Sequence, residues 1–309
     1  MSADLKTNAA HFDVKDYFLA LCIVVIWGAA FVAMKFGLRS FTAFQLGAAR
    51  YFFSSVPLMF FLPRPALPFK FIVVYGLVTG VGQFGLLFIA LHVGMTAGLA
   101  SVLMQTQVFF TALVSLFVLH ERLQKQQIMG LVLAGFAIAC FVLHFVDGLG
   151  SALHNVSFLG FILCLGGASM WGVSNVLTRL AQKANPNFNA LHFIVWASCI
   201  PVLPFLLLSY VFDEPATRTA WQHASWLSWL SAMYMGLLAT SFAFTQWTGL
   251  LKRHSANRVA PFSLGVPVVG LASGIAILGE QVSRWQWAGI AFVVAALVLA
   301  MWPKSLASQ

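Results

Sequence analysis

Apolar residues run through this chain in blocks of about twenty, divided by short polar connections. A helix crossing the hydrocarbon core of a bilayer needs about 20 mostly apolar residues. On that criterion the chain reads as ten spans, near residues 17–35, 42–62, 69–91, 96–119, 127–145, 157–180, 190–211, 226–250, 258–279 and 285–302. The connections carry loop punctuation, as in Pro63-Arg64-Pro65, Asn185-Pro186-Asn187 and Asp213-Glu214-Pro215. A polar stretch, 1–16, precedes the first span, and Lys35 follows it without a small-residue processing site. That span is expected to be a retained helix and not a cleaved signal.

Composition strengthens the pattern. Of 309 residues, 61% are hydrophobic and 8% charged, against roughly 25% charged in an ordinary soluble domain. Lipid must be the solvent for much of the surface. The net charge of +9 would suggest nucleic acid in a soluble protein. Here the basic residues fall in short clusters between apolar runs, with no nucleic-acid-binding motif. They read instead as topology signals. With the N-terminus cytoplasmic, the inside segments hold Lys6, Lys15, Arg64, Lys70, Arg122, Lys125, Arg179, Lys183, Lys252, Arg253, Arg258 and Lys304. The outside segments hold only Lys35, Arg39, Arg218 and Arg284. Both termini are therefore expected in the cytoplasm. Cys22, Cys140, Cys164 and Cys199 all sit in apolar runs without a C-x-x-C pair, so no disulfide framework, metal site or cofactor is indicated.

The chain also repeats itself. Ile26-Trp27-Gly28 matches Met170-Trp171-Gly172, and the same offset pairs Lys35 with Arg179. Leu119-His120-Glu121 followed by Gly130 matches Leu278-Gly279-Glu280 followed by Gly289. The expected halves are 1–150 and 151–309, each with five spans. An odd number of spans inserts the second half upside down, an inverted repeat with its substrate site near midplane.

Several of these residues resemble a known family. The run Ala260-Pro261-Phe262-Ser263-Leu264-Gly265-Val266-Pro267-Val268-Val269-Gly270 resembles the ninth helix of EamA-type transporters. Trp27-Gly28 in the first span and Glu121-Arg122-Leu123 after the fourth do likewise. The resemblance covers nearly the whole chain and places it with the drug/metabolite transporter superfamily. It implies ten helices in two inverted five-helix repeats, in the bacterial inner (plasma) membrane. Gln83-Phe84, Gly98-Leu99-Ala100-Ser101 and Gln105-x-Gln107-x-Phe109-Phe110 are most similar to the O-acetylserine/cysteine exporters.

Candidate chemistry follows. Gly80-Val81-Gly82-Gln83-Phe84-Gly85 spells G-x-G-x-x-G but lies inside a span, where small residues serve close packing and not a dinucleotide. Arg50 is the only charge deep within a span, and such a residue faces the protein interior or a wet cavity. It suits either an anchor for a substrate carboxylate or a structural bridge to helix-end carbonyls or Glu121. The sequence favours the bridge, because a lone membrane charge implies a partner. Gln83, Gln105, Gln107, Asn175 and Gln246 are intramembrane amides that can line one polar chamber or glue helices together. Gln105 and Gln107 share a face poorly, since two residues turn a helix by about 200°. Trp27, Trp171, Tyr234 and Trp247 supply apolar walls with hydrogen-bonding edges. Pro267 should break the ladder of the ninth helix, with Gly265 and Gly270 beside it, whereas Pro261 lies in the first turns. These four residues are the expected gating element.

The eight carboxylates all fall in tails, loops or helix ends, which disfavours a carboxylate proton carrier at midplane. The absence of a G-x-x-x-x-G-K-[ST] loop argues against a nucleotide-driven pump. A membrane enzyme would need a catalytic cluster that the chain does not show. The expected partner is a zwitterionic amino acid or derivative, with a broader amino-acid or drug exporter as the alternative and a pore as a third.

Overall fold

The computed structural model describes residues 13–121, 123–147, 157–254 and 259–301. Arg122, Arg258, both chain termini, the junction of the expected halves near residue 150 and the side chain of Pro261 lie outside the described residues. The helices run α1 (Val14–Gly37), α2 (Ala43–Met59), α3 (Phe69–His92), α4 (Ala97–Val118), α5 (Lys125–Asp147), α6 (Phe158–Ala184), α7 (Ala190–Phe212), α8 (Trp226–Leu250), α9 (Gly265–Leu278) and α10 (Arg284–Met301). No strand occurs among the described residues. By length and composition, 7 of these helices can cross a membrane, namely α1 and α3 to α8. Apolar helices of 10–17 residues cover Phe262–Leu278 and Arg284–Ala300, and α2 has 17 residues.

Short polar side chains start the helices by accepting hydrogen bonds from otherwise unpaired N–H groups. Asp13, Thr42, Thr96, Ser157, Asn189 and Ser225 do this for α1, α2, α4, α6, α7 and α8. Gly279 ends α9 in the left-handed region at φ 67°, where a side chain would be strained.

Five helices depart from regular α geometry, α7 through a break at Ile200–Pro201. A π-helical stretch of 9 residues interrupts α3 at Leu77–Gly85, and another of 9 residues interrupts α8 at Tyr234–Phe242. In the second, Thr240 and Ser241 hydroxyls donate to the Met235 and Gly236 carbonyls at 2.8 and 3.3 Å. A 3₁₀ turn interrupts α4 at Met104–Thr106, and another leads into α9 at Ala260–Leu264. Pro267 is thus not deep within regular α-helix. It is the third residue of α9, just after the 3₁₀ turn.

Packing follows the small residues. A Cβ at Gly28 would lie 2.5 Å from Val269 Cβ, and one at Gly172 would lie 2.8 Å from Phe110 Cβ. The two Trp-Gly motifs therefore mark the close crossings of α1 on α9 and α6 on α4. Besides these, α1 packs on α8, α6 on α3, α2 on α7, α4 on α9 and α5 on α10. The outward faces are apolar, with Phe61, Phe117 and Trp226 exposed, as expected where lipid is the solvent.

Candidate functional site

A cavity of about 1030 Å³ runs through the bundle, lined by residues of α1 to α9. Its mouth lies between Glu121, Gln124, Arg179 and Gln182, and its deep end at Phe31 and Met34. At the mouth, Arg179 holds Glu121 with two hydrogen bonds of 2.6 and 3.0 Å. Both side chains are 43% exposed.

At the far end, the Glu280 carboxylate accepts from the Ala97 and Gly98 N–H groups at 2.6 and 2.8 Å. It caps the N-terminus of α4, where a negative charge is favoured. Beside it, Lys35 Nζ donates to the Leu91 carbonyl at 2.8 Å. These contacts tie α1 to α3 and the end of α9 to α4, close to the buried Met34 of the cavity lining.

Arg50 sits in the cavity wall and is 2% exposed. Its guanidinium carbon lies 3.5 Å from the centre of the Phe84 ring, a cation–π contact. Nη2 donates to Thr240 Oγ1 at 3.0 Å. Thr240 can accept because its own proton goes to the Met235 carbonyl in the π-helical stretch. Nε and Nη1 have no partner. Glu121 is not the bridge that the sequence suggested, because Arg179 takes both of its oxygens. Among the described residues, no carboxylate forms a salt bridge with Arg50. Nor, among the described residues, does Arg50 bond to a helix-end carbonyl.

Gln83 lies one residue before Phe84, is 1% exposed, and lines the same cavity. Its Oε1 has no hydrogen-bond partner. An aromatic group on α1 and α8 lines the same cavity. Trp27 lies 5.1 Å from Phe244 and 5.3 Å from Trp247 between ring centres. Trp27 Nε1 donates to the Ala239 carbonyl at 2.9 Å, so this indole is anchored one residue from Thr240, the partner of Arg50.

The other candidates divide. Trp171, Gln105 and Asn175 line the cavity, as do Thr79, Thr111 and Phe244, which sequence reasoning missed. Asn175 Nδ2 donates to Gln107 Oε1 at 2.6 Å and to Thr111 Oγ1 at 3.0 Å, a polar strip joining α6 to α4. Tyr234 and Gln246 are not in the lining. The Tyr234 hydroxyl instead donates to the Ile26 carbonyl at 2.7 Å and fastens α8 to α1. Gly265 abuts Val24, and Gly270 abuts Ser101, so both serve helix contacts.

An apolar bundle around a deep polar-and-aromatic chamber, opening at one end, is a multi-pass membrane protein built to hold a small solute. The chain belongs to the EamA-like transporter family, whose pattern matches residues 14–143 and 158–302. It is 37% identical over 286 residues to a probable amino-acid metabolite efflux pump of Salmonella typhimurium, covering 92% of this chain and 94% of the relative. It is 35% identical to a probable amino-acid metabolite efflux pump of Escherichia coli, over the same shares of the two chains. A solved crystal structure of a protein 17% identical superposes with a TM-score of 0.59, over 92% of this chain and 95% of that one, which supports the fold. The protein is a transporter of small molecules and not an enzyme.

Proposed function

We propose that this transporter exports small zwitterionic amino-acid metabolites, of the O-acetylserine or cysteine kind, across the bacterial inner membrane by alternating access. The observation that carries this reading is Arg50, a buried cation in the chamber wall with two donors unused. A buried charge demands compensation. A substrate carboxylate supplies it where the protein does not. Thr79 and Gln83 add polar groups around it, and Trp27, Trp171 and Trp247 provide apolar walls. The runner-up is a broader exporter of amino acids or drugs, favoured by the Trp27, Phe244 and Trp247 cluster and the size of the chamber.

Ten spans in two inverted repeats, split as 1–150 and 151–309, complete the proposal. The family pattern matches the chain in two stretches. Adding five to each helix number of the first half, and the reverse for the second, turns the contact of α1 with α9 into that of α6 with α4. The pair α3 with α6 likewise becomes α8 with α1. The π-helical stretches of α3 and α8 and the 3₁₀ turns of α4 and α9 correspond in the same way. The positions of Arg179 and Glu121, which form an ion pair, correspond to those of Lys35 and Glu280, which bond instead to the Leu91 carbonyl and to the Ala97 and Gly98 N–H groups. The mouth lies at the end richer in basic residues, which supports cytoplasmic termini and a chamber open to the cytoplasm. Pro261, Gly265, Pro267 and Gly270 then belong to the helix that moves against α1 and α4.

The test is efflux from loaded proteoliposomes with O-acetylserine, cysteine, threonine and phenylalanine. Saturable counterflow of the first two, lost in Arg50→Gln, supports the reading. Non-saturable leak would indicate a pore.

A further inference from the structure

We infer that Gln107 and Asn175 form a subsite for a carboxamide on the substrate's side chain, with Gln107 donating to its carbonyl and Asn175 accepting from its N–H. The inference rests on the exporter reading above and specifies which side chains that exporter favours.

The subsite begins with a close helix crossing. Gly172 lets α6 come against α4, where an added Cβ would lie 2.8 Å from both Phe110 Cβ and the Thr111 backbone nitrogen. Steps of four residues keep Gln107, Thr111 and Ser115 on one face of α4, and Trp171, Asn175 and Arg179 on one face of α6. All six line the cavity. Nearest the mouth the facing groups are charged, and Arg179 donates to Ser115 Oγ at 3.1 Å as well as to Glu121. One turn further in, the strip is neutral.

The hydrogen bonds of that neutral strip fix which way each amide points. The Thr111 hydroxyl gives its one proton to the Gln107 backbone carbonyl at 2.7 Å. It can therefore only accept from Asn175, and the atom 3.0 Å away must be Nδ2. The same Nδ2 donates at 2.6 Å to Gln107, so the atom it meets must be Oε1. Two amide atoms are left over, Gln107 Nε2 as a donor and Asn175 Oδ1 as an acceptor. Neither has a hydrogen bond among the described residues, and neither is sealed from solvent as Gln83 Oε1 is. Both residues are partly exposed, and the space they border is the cavity.

A donor and an acceptor thus stand side by side, their amides tied by the 2.6 Å bond and held before any ligand arrives. A carboxamide is the complement, with a carbonyl oxygen and an N–H on one carbon. A carboxylate is not, because one of its oxygens would meet Asn175 Oδ1. An ester carbonyl engages Gln107 alone. A branched alkyl group of the same shape leaves both amides without a partner, and a site built to bond such groups rejects the analogue lacking them.

The experiment is competition against labelled L-cysteine counterflow in proteoliposomes, at mildly acidic pH under reducing conditions. The competitors are glutamine, O-acetylserine and homoleucine, whose side chains share one branched shape and carry an amide, an ester and an alkyl group. The wild-type protein should rank them in that order, with about tenfold between the first and the last. Gln107→Glu keeps the acceptor that Asn175 and Thr111 use and removes only the donor facing the cavity. It should abolish the advantage of O-acetylserine over homoleucine while leaving the melting temperature near that of the wild type. Gln107→Met should abolish the same advantage and also lower the melting temperature, since Asn175 loses its partner. Helix glue only, the competing role, predicts that neither variant changes the ratio. An unchanged ratio in both variants, or no wild-type preference for glutamine over homoleucine, would overturn the inference while cysteine counterflow leaves the exporter reading standing. Absence of counterflow for cysteine, O-acetylserine and glutamine alike would overturn both.

Discussion

Gln105 Nε2 donates to the Ser263 carbonyl at 2.7 Å, and that carbonyl lies one turn below Pro267, which has no N–H to offer it. A side chain of α4 thus supplies the donor that the proline of α9 withholds. This settles the geometry of a residue that the sequence offered as a substrate ligand. Gln105 borders the chamber, and its Nε2 is committed to the 3₁₀ turn that leads into α9.

Gln105→Leu should lower stability by about 1–3 kcal/mol, the usual effect of leaving a buried polar group unpaired. In a Pro267→Ala background the restored N–H can serve Ser263, so the same change should cost less. A double-mutant cycle on melting temperature measures the difference, and additive losses would show that the two residues are not coupled.

Pro267→Ala by itself should slow transport with little loss of folding. Extending regular helix through the 3₁₀-to-α junction should favour one access state over the other. Turnover should fall more than binding affinity. Full activity together with unchanged cysteine accessibility on both membrane faces would make the junction a static bend.

Glu280 and Glu121 should behave differently despite their matching places in the two halves. Glu280 caps α4 with two charge-assisted bonds, each worth about 1.5–3 kcal/mol. Glu280→Gln should therefore shift the protein towards the state open at that end, by tenfold or more. Glu121→Gln breaks an ion pair whose partners are 43% exposed, and such pairs contribute little, about 0–1 kcal/mol. Thiol labelling of a cysteine introduced at the Lys35 end reads both variants. Equal effects would show that the Glu280 contacts are not the seal.

Orientation is open to a direct test. Asn187 and Glu214 lie in exposed connections at opposite ends of α7. An Asn187→Cys thiol should react only after the cell is permeabilised, and a Glu214→Cys thiol should react in intact cells. The reverse pattern would invert the topology and place the open mouth outside.

Much of this was legible in the sequence, for identifiable reasons. Expected spans such as 69–91 and 190–211 lie within a few residues of α3 and α7, because the requirement for apolar length is strong and local. Arg50 stood out as a lone charge for the same reason. What it touches was not legible, since its contacts come from Phe84 and Thr240, on helices far along the chain. Gln105 and Gln107 were expected to share a face poorly, yet both border the cavity, Gln105 lying in the 3₁₀ turn just before Gln107; their amides bond to Ser263 before α9 and to Asn175 of α6. Tyr234 lies outside the lining because its hydroxyl bonds to the Ile26 carbonyl, and Gln246 because a side chain's facing depends on helical phase. The π-helical stretch Tyr234–Phe242 changes that phase part way along α8, and nothing in a 3.6-residue periodicity announces it.

The most direct measurement is substrate counterflow by Arg50→Gln, made alongside its melting temperature. Arg50 has no protein carboxylate to abandon, so its replacement leaves no buried anion uncompensated, and only Thr240 loses a donor. Counterflow of cysteine and O-acetylserine should disappear while the melting temperature stays close to that of the wild-type protein. A large drop in melting temperature, with counterflow intact in the protein that remains folded, would contradict the assignment of Arg50 as the substrate's anchor.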